Sequence, residues 1–169
     1  MEKSGKYKYT VDDLLQPLPY TDIVYAVHSY SPKKFTDQSK NREGVNSIPY
    51  SSKIENAVKN DAKRLLAWQK KHGVPVMVSE TGCISKVDGF DEGTPNLEDC
   101  GKYADAYRRH FAEAGIPVIW WAIEKERTIY LRAKGDCTFT VKGNCDSWMP
   151  KKRVPNPYLF EGLGLKIDG

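Results

Sequence analysis

Gly73-Val74-Pro75-Val76-Met77-Val78-Ser79-Glu80-Thr81-Gly82 is a short apolar run entered from a glycine, closed by Thr81-Gly82, and ending on a carboxylate. Its length and β-branched content suit a buried strand rather than a helix. Immediately before it, residues 51–72 place Ile54, Val58, Ala62, Leu65, Leu66 and Trp68 at helical spacing, with Lys59, Asp61, Lys63, Lys70 and Lys71 interleaved. Ser51 or Ser52 can cap this helix, with Glu55 three residues after Ser52, and Gly73 closes it. The pattern then repeats. A second helix is predicted from about Leu97 to Ala114, with Tyr103, Ala106, Tyr107 and Phe111 on one face, and Gly115 ends it. Ile116-Pro117-Val118-Ile119-Trp120-Trp121-Ala122-Ile123 follows as another apolar strand. Upstream, Asp22-Ile23-Val24-Tyr25-Ala26-Val27-His28-Ser29-Tyr30 is a third candidate, ended by Pro32. Alternation gives this strand two apolar faces, which predicts burial on both sides. Strand, helix, strand, helix, strand is the order of a parallel α/β layer.

The segments between and after these elements differ in character. Residues 33–52 are polar, contain Gly44 and Pro49, and read as a long loop. Beyond Tyr130, Cys137-Thr138-Phe139-Thr140-Val141-Lys142-Gly143-Asn144-Cys145 has the form of a small hairpin turning at Lys142-Gly143-Asn144. The tail carries Tyr158, Leu159, Phe160, Leu163 and Leu165, which can pack back on the layer.

Composition excludes several functions. The 169 residues make one domain's worth of chain, with 26 Lys+Arg against 22 Asp+Glu, a net charge of +4, and 40% hydrophobic residues. No apolar run approaches the roughly 18 residues that span a bilayer, so an integral helical membrane protein is excluded. The charge is small and evenly spread. Lys151, Lys152 and Arg153 form the one tight basic cluster, which reads as solvated surface rather than a nucleic-acid footprint. The opening Met1-Glu2-Lys3-Ser4-Gly5-Lys6 lacks the apolar core of a signal peptide, so an exported origin would require a signal preceding this sequence.

The four cysteines allow three pairings. Cys137 with Cys145 is the natural local pair across a hairpin, leaving Cys83 with Cys100 around the loop after the Val76 strand. Four free thiols is the alternative. A disulfide would favour an exported, extracellular origin. No Cys-x-x-Cys or Cys/His metal spacing is present, and no metal or other cofactor is expected.

Each predicted strand finishes on a polar or aromatic residue: His28 and Tyr30, then Glu80, then Trp120 and Trp121, with Glu124 just beyond. Ligands of parallel α/β proteins bind outside the carboxyl ends of the strands, so these positions would converge. His28 alone would equally suit a core histidine, and Trp121 alone a core aromatic. Glu80 is different, because a carboxylate after an apolar run is costly to bury unless paired or put to use. Glu124 and Glu126 lie among Lys125 and Arg127 and read as solvated. Aromatic rings beside a carboxylate suit a sugar, whose ring face stacks on them while its hydroxyls hydrogen-bond the carboxylate. No Gly-x-Ser-x-Gly, P-loop or His-Glu-x-x-His occurs, and Gly162-Leu163-Gly164 does not follow a strand as a dinucleotide fingerprint should.

On these residues the sequence resembles glycoside hydrolase family 5, the cellulase and endoglucanase family. The Asp22–Tyr30 run, with Pro32 and Phe35-Thr36-Asp37-Gln38, is similar to its sixth-strand region. Gly73–Gly82 resembles the seventh strand, whose glutamate is the nucleophile, and Gly115–Trp121 the eighth, which supplies a stacking tryptophan. The resemblance covers roughly residues 9 to 130. It implies an α/β fold, here a partial (half) TIM-barrel-like parallel βα layer with a small C-terminal hairpin. It also implies retaining hydrolysis of β-linked glucans or mannans, without a metal. Glu80 would be the nucleophile, His28 and Tyr30 would flank it and hydrogen-bond the sugar and the glutamate, and Trp121, or instead Trp120, would be the sugar platform. Arg108 or Arg109 stands where the family often has a helix arginine, with no role assigned.

The sequence departs from that pattern in one large respect. A closed barrel needs about 200 to 250 residues, so residues 1–169 make one domain shorter than a barrel, with 131–169 as a C-terminal extension carrying the hairpin. The family's acid/base glutamate follows an asparagine, and no Asn-Glu pair occurs anywhere in this chain. Three expectations follow: a barrel part completed by a companion chain or by self-association, a minimal glycosidase recruiting Glu43, Glu124 or Glu126 as acid/base, or a non-catalytic carbohydrate-binding remnant. All three take β-glucan or a related polysaccharide as ligand, and none involves nucleic acid or a membrane.

Overall fold

A computed structural model describes residues 16–37, 48–83, 97–121, 130–132 and 153–166. Three strands form one parallel sheet in the order β1 (Tyr25–His28), β2 (Val76–Thr81), β3 (Val118–Trp120). Helix α2 (Ser52–His72) crosses over from the first strand to the second, and α3 (Leu97–Glu113) from the second to the third. The parallel α/β layer predicted from the apolar runs is the architecture found.

The helix faces are those the spacing predicts. Ile54, Val58, Ala62, Leu65 and Trp68 of α2 are buried, as are Tyr103, Ala106, Tyr107 and Phe111 of α3. Aromatic rings knit the two layers together: Trp68 meets Tyr25 edge-on at 5.3 Å and Trp120 meets Tyr103 edge-on at 6.2 Å, while within α3 Tyr107 stacks on Phe111 at 4.9 Å. Gly73 and Gly115 end the helices in left-handed conformation, at φ 65° and 67°, which a side chain would strain. Ser51 stands at the N-cap of α2 without a side-chain cap bond. Glu55, expected to complete a capping box, instead accepts from Arg109 Nη2 at 2.9 Å and so ties α2 to α3.

One sequence expectation is overturned by the sheet. β1 is not buried on both sides: Tyr25 and Val27 are half-buried, Ala26 and His28 are exposed, and Val24 just before the strand is 54% exposed. Among the described residues, helices cover one face only. On β3 the same division puts Trp120 in the core and leaves Ile119 49% exposed, with Trp121 beyond it 44% exposed. Among the described residues β1 and β3 are the edge strands, with β2 between them.

The stretch read as a polar loop contains helix α1 (Lys33–Thr36), whose Phe35 is fully buried against Tyr50 and Tyr103. Phe35 is the lone apolar residue of residues 33–44, which leaves no period to detect. Strand β4 (Tyr130–Arg132) pairs antiparallel with β5 (Arg153–Pro155), and α4 (Pro157–Leu163) packs on α3. Asn156 caps α4, its Oδ1 accepting from the Leu159 N–H at 3.3 Å. The tail packs through Leu159 and Phe160, while Tyr158 and Leu165 stay exposed. The predicted Cys137–Cys145 hairpin lies outside the described residues. Cys83 and Cys100 are joined in a disulfide that links the end of β2 to the first turn of α3.

Two predictions follow from the packing. A Cβ on Gly162 would lie 2.2 Å from the Gly101 carbonyl oxygen, backbone that cannot yield. Gly162→Ala is therefore expected to cost about 1–3 kcal/mol of overpacking, read as a lowered thermal midpoint. The adjacent tryptophans should separate in the same assay. Trp120→Ala is expected to cost about 3–5 kcal/mol as a core truncation, and Trp121→Ala within about 0.5 kcal/mol of nothing.

Candidate active site at the carboxyl ends of the strands

Glu80 owes its orientation to an irregularity in β2. Val76 and Val78 face the helices, so strict alternation would send Glu80 the same way. The register shifts instead. Val27 pairs with Val78 but His28 with Glu80, and Val78 pairs with Val118 but Thr81 with Trp120, so β2 carries one extra residue against each neighbour. Such a bulge re-aims the side chains beyond it. Thr81 takes the buried position and Glu80 joins His28 on the open face of the sheet.

There the carboxylate meets two partners from the neighbouring strand end. The Tyr30 hydroxyl donates to Glu80 Oε1. His28 Nδ1 lies 3.4 Å from Oε2, with the His28 side chain 63% and that of Glu80 22% exposed. The backbone is tied as well, since the Ser29 N–H donates to the Glu80 carbonyl at 2.9 Å. Glu80 is thus held by a phenol on one oxygen and an imidazole beside the other, and it stays open to solvent. An oriented, partly exposed carboxylate can accept a ligand's hydroxyl protons or attack an electrophilic carbon.

The predicted site residues divide accordingly. His28, Tyr30 and Glu80 come together at the carboxyl ends of β1 and β2. The Trp121 N–H donates to the Thr81 carbonyl at 2.7 Å, which brings Trp121 to the end of β2, one residue from Glu80. Its side chain is exposed, whereas that of Trp120 is buried. Arg109 donates to Glu55 and Asp105, and Arg108 to Asp105 and the Gly162 carbonyl, so both serve the helix packing. Glu43, Glu124 and Glu126 lie outside the described residues. Among the described residues, no group of three or more His, Cys, Asp or Glu is arranged to hold a metal ion, and no helix is long and apolar enough to cross a membrane.

Sequence reasoning missed the support behind the site. Ser29, between His28 and Tyr30, points into the helix layer, where its Oγ donates to Asp61 Oδ2 of α2. The Tyr107 hydroxyl of α3 lies 2.8 Å from the Ser29 Oγ and 3.2 Å from its carbonyl oxygen. Tyr103 donates to the Ser31 carbonyl at 3.0 Å. Burial, then the charge of Asp61, pushes the Tyr107 phenol up to about 12, so it keeps its proton. In the sequence Asp61 is one of the charged residues interleaved with the apolar positions of α2. Its place inside the apolar stripe, three residues after Val58 and four before Leu65, is the signal that could have found it.

The chain matches the model of the cellulase family, glycosyl hydrolase family 5, over residues 4–127. Its fold is shared with the cellulose synthase subunit Z of Clostridioides difficile, at 16% identity and a TM-score of 0.63, over 92% of this chain and 46% of that one. Cel5A of Thermotoga maritima in complex with cellobiose aligns at 17% identity and a TM-score of 0.64, over 92% of this chain and 44% of that one. The same protein in complex with mannotriose gives 18% identity, a TM-score of 0.62, and coverage of 90% and 42%. No curated protein matches the chain. The chain therefore spans less than half the length of these barrels, and the likeness at such identity is one of fold. The family match runs through β1, α2, β2, α3 and β3, and the chain belongs to the cellulase family, glycosyl hydrolase family 5.

Proposed function

We propose that this chain supplies the nucleophile-bearing part of a retaining glycoside hydrolase acting on β-linked, cellulose-like glucan, with Glu80 as nucleophile. The observation that carries the reading is the Glu80 carboxylate at a strand's carboxyl end, with Tyr30 on one oxygen and His28 beside the other. In that role Glu80 attacks the anomeric carbon as the leaving-group oxygen takes a proton from a second carboxyl, and water then releases the glycosyl group. Tyr30 and His28 hold the nucleophile in line and reach the sugar hydroxyls. Trp121, exposed beside them, offers a ring face for the sugar to stack on. The bound cellobiose and mannotriose of the Thermotoga protein support a β-linked saccharide as the ligand.

The second carboxyl belongs to the same proposal. Retaining hydrolysis needs it about 5–5.5 Å from the nucleophile. The family's Asn-Glu pair is absent from this sequence, so the acid/base comes with the strands that complete the barrel, on a companion polypeptide or an upstream part of a longer chain. Among the described residues no helix covers the second face of the sheet and β1 and β3 each pair on one side, which supports that completion. An extracellular origin fits as well, since the Cys83–Cys100 disulfide is of the kind that persists in an oxidising compartment.

The test is release of reducing sugar from a soluble β-glucan, by the chain alone and with a polypeptide carrying the first five strands of a family 5 barrel. Turnover is expected from the pair, falling about a thousandfold or more in Glu80→Gln. Turnover that survives Glu80→Gln would remove Glu80 as nucleophile. Saccharide binding undiminished by Glu80→Gln, with no turnover in any combination, would make the chain a carbohydrate-binding module instead.

A further inference from the structure

The face of the sheet that meets the helices is mostly apolar. Beneath the end of β1, Asp61, Ser29 and Tyr107 bring three polar groups into the helix–sheet interface from three separate elements. A carboxylate there is costly. Burial raises the Asp61 carboxyl above its ordinary value, against the opposing effects of the Ser29 hydrogen bond and of Arg64, whose Nη1 is 4.0 Å from Oδ1. Because the folded pKa is raised, the stability associated with this group is complete below the ordinary carboxylate range. It is lost as pH rises through the folded value. Near neutral pH the fold thus carries a group that weakens it. A small apolar residue would fill the same position of the α2 stripe without that cost.

What the arrangement does is fix residue 29. The Ser29 side chain is pinned by Asp61, its carbonyl is reached by the single Tyr107 proton, and its N–H is held by Glu80. The residues on either side are the two that touch the Glu80 carboxylate. A shift of Ser29 would move both.

We propose that Asp61 and Tyr107 are positioning residues which, through Ser29, set His28 and Tyr30 against the Glu80 carboxylate. The consequence for catalysis rests on the reading of Glu80 as nucleophile, but the positioning itself does not. Neither residue touches a substrate; both act through Ser29.

The experiment reads the positioning without turnover. In the full-length chain, Glu80→Gln should perturb the NMR signals of the His28 and Tyr30 rings, because both contact the carboxylate. The same substitution is then made in Ser29→Ala, Asp61→Ala, Asp61→Asn and Tyr107→Phe backgrounds. The Trp68 indole signal and the thermal midpoint report the integrity of the core. The expected result is a perturbation reduced at least twofold in the Ser29→Ala, Asp61→Ala and Tyr107→Phe backgrounds. It should be retained in Asp61→Asn, whose amide oxygen can still accept from Ser29. Tyr107→Phe keeps the ring stacked on Phe111 and decides the matter should the other variants unfold. An undiminished perturbation in Tyr107→Phe and in every other folded background would overturn the proposal. Loss of turnover in the assembled enzyme with an undiminished NMR response would overturn it too, leaving Glu80 as nucleophile intact. An intact positioning response with no turnover would instead count against Glu80 as nucleophile.

Discussion

β2 is hydrogen-bonded on both sides by strands running in its own direction, and the rest of the structure follows from that pairing. Parallel neighbours cannot be joined by a tight turn, so each connection must return the chain along the sheet, and α2 and α3 are those returns. Crossovers of one hand place both helices on the same face. The apolar stripe of each helix then has one surface to cover, which is why Val76, Val78 and Trp120 are buried while Ile119 and Ala26 are not. The same directionality brings all three carboxyl ends to one edge. Convergence of His28, Tyr30, Glu80 and Trp121 is thus a consequence of topology before it is one of chemistry.

The fold was legible because its main signals are local. Three short apolar runs, two helical stripes and the glycines at 73 and 115 mark elements whose bounds moved only by a few residues on folding. The family resemblance rested on the same stretches, and the family match covers them. Non-local features were not legible. Period-two alternation assigns Glu80 to the buried face with Val76 and Val78, and only pairing with two neighbours reveals the extra residue in β2 that turns it outward. Alternation along β1 predicts burial on both sides, because the residues of both faces are apolar. Composition reports what a face prefers; whether another layer arrives to cover it depends on residues elsewhere.

Asp61 and Phe35 are the paired failures of pattern reading. Phe35 is a core residue in a polar stretch, and Asp61 a polar residue reaching into the core interface. Each breaks the local hydrophobic pattern at one position, and each sits within reach of the strand end that carries His28 and Tyr30. Phe35 fills the space against Tyr103, whose hydroxyl takes the Ser31 carbonyl, and Asp61 takes the Ser29 hydroxyl. Departures from patterning collect where a fold holds an irregular backbone segment in place, since such a segment has few ladder bonds to hold it. Residues 29–31 are that segment here, lying between the end of β1 and the start of α1.

Glu80 consequently stands at a boundary between two kinds of environment. Behind it are helix-covered strands, buried phenols and a pinned serine, a region whose geometry leaves few alternatives. In front is an apolar sheet face with uncovered edges, where Val24 and Ile119 are about half exposed. Exposed apolar surface of this kind favours association, at about 25 cal/mol for each Å² removed from water. On the proposed reading, strands that completed the barrel over this face would narrow the space in front of the carboxylate and lower the local dielectric, and a nucleophilic Glu80 would gain in reactivity from losing its water. The carboxylate's orientation is set by the covered side of the sheet, and in the proposed role its reactivity would be set by what covers the open one.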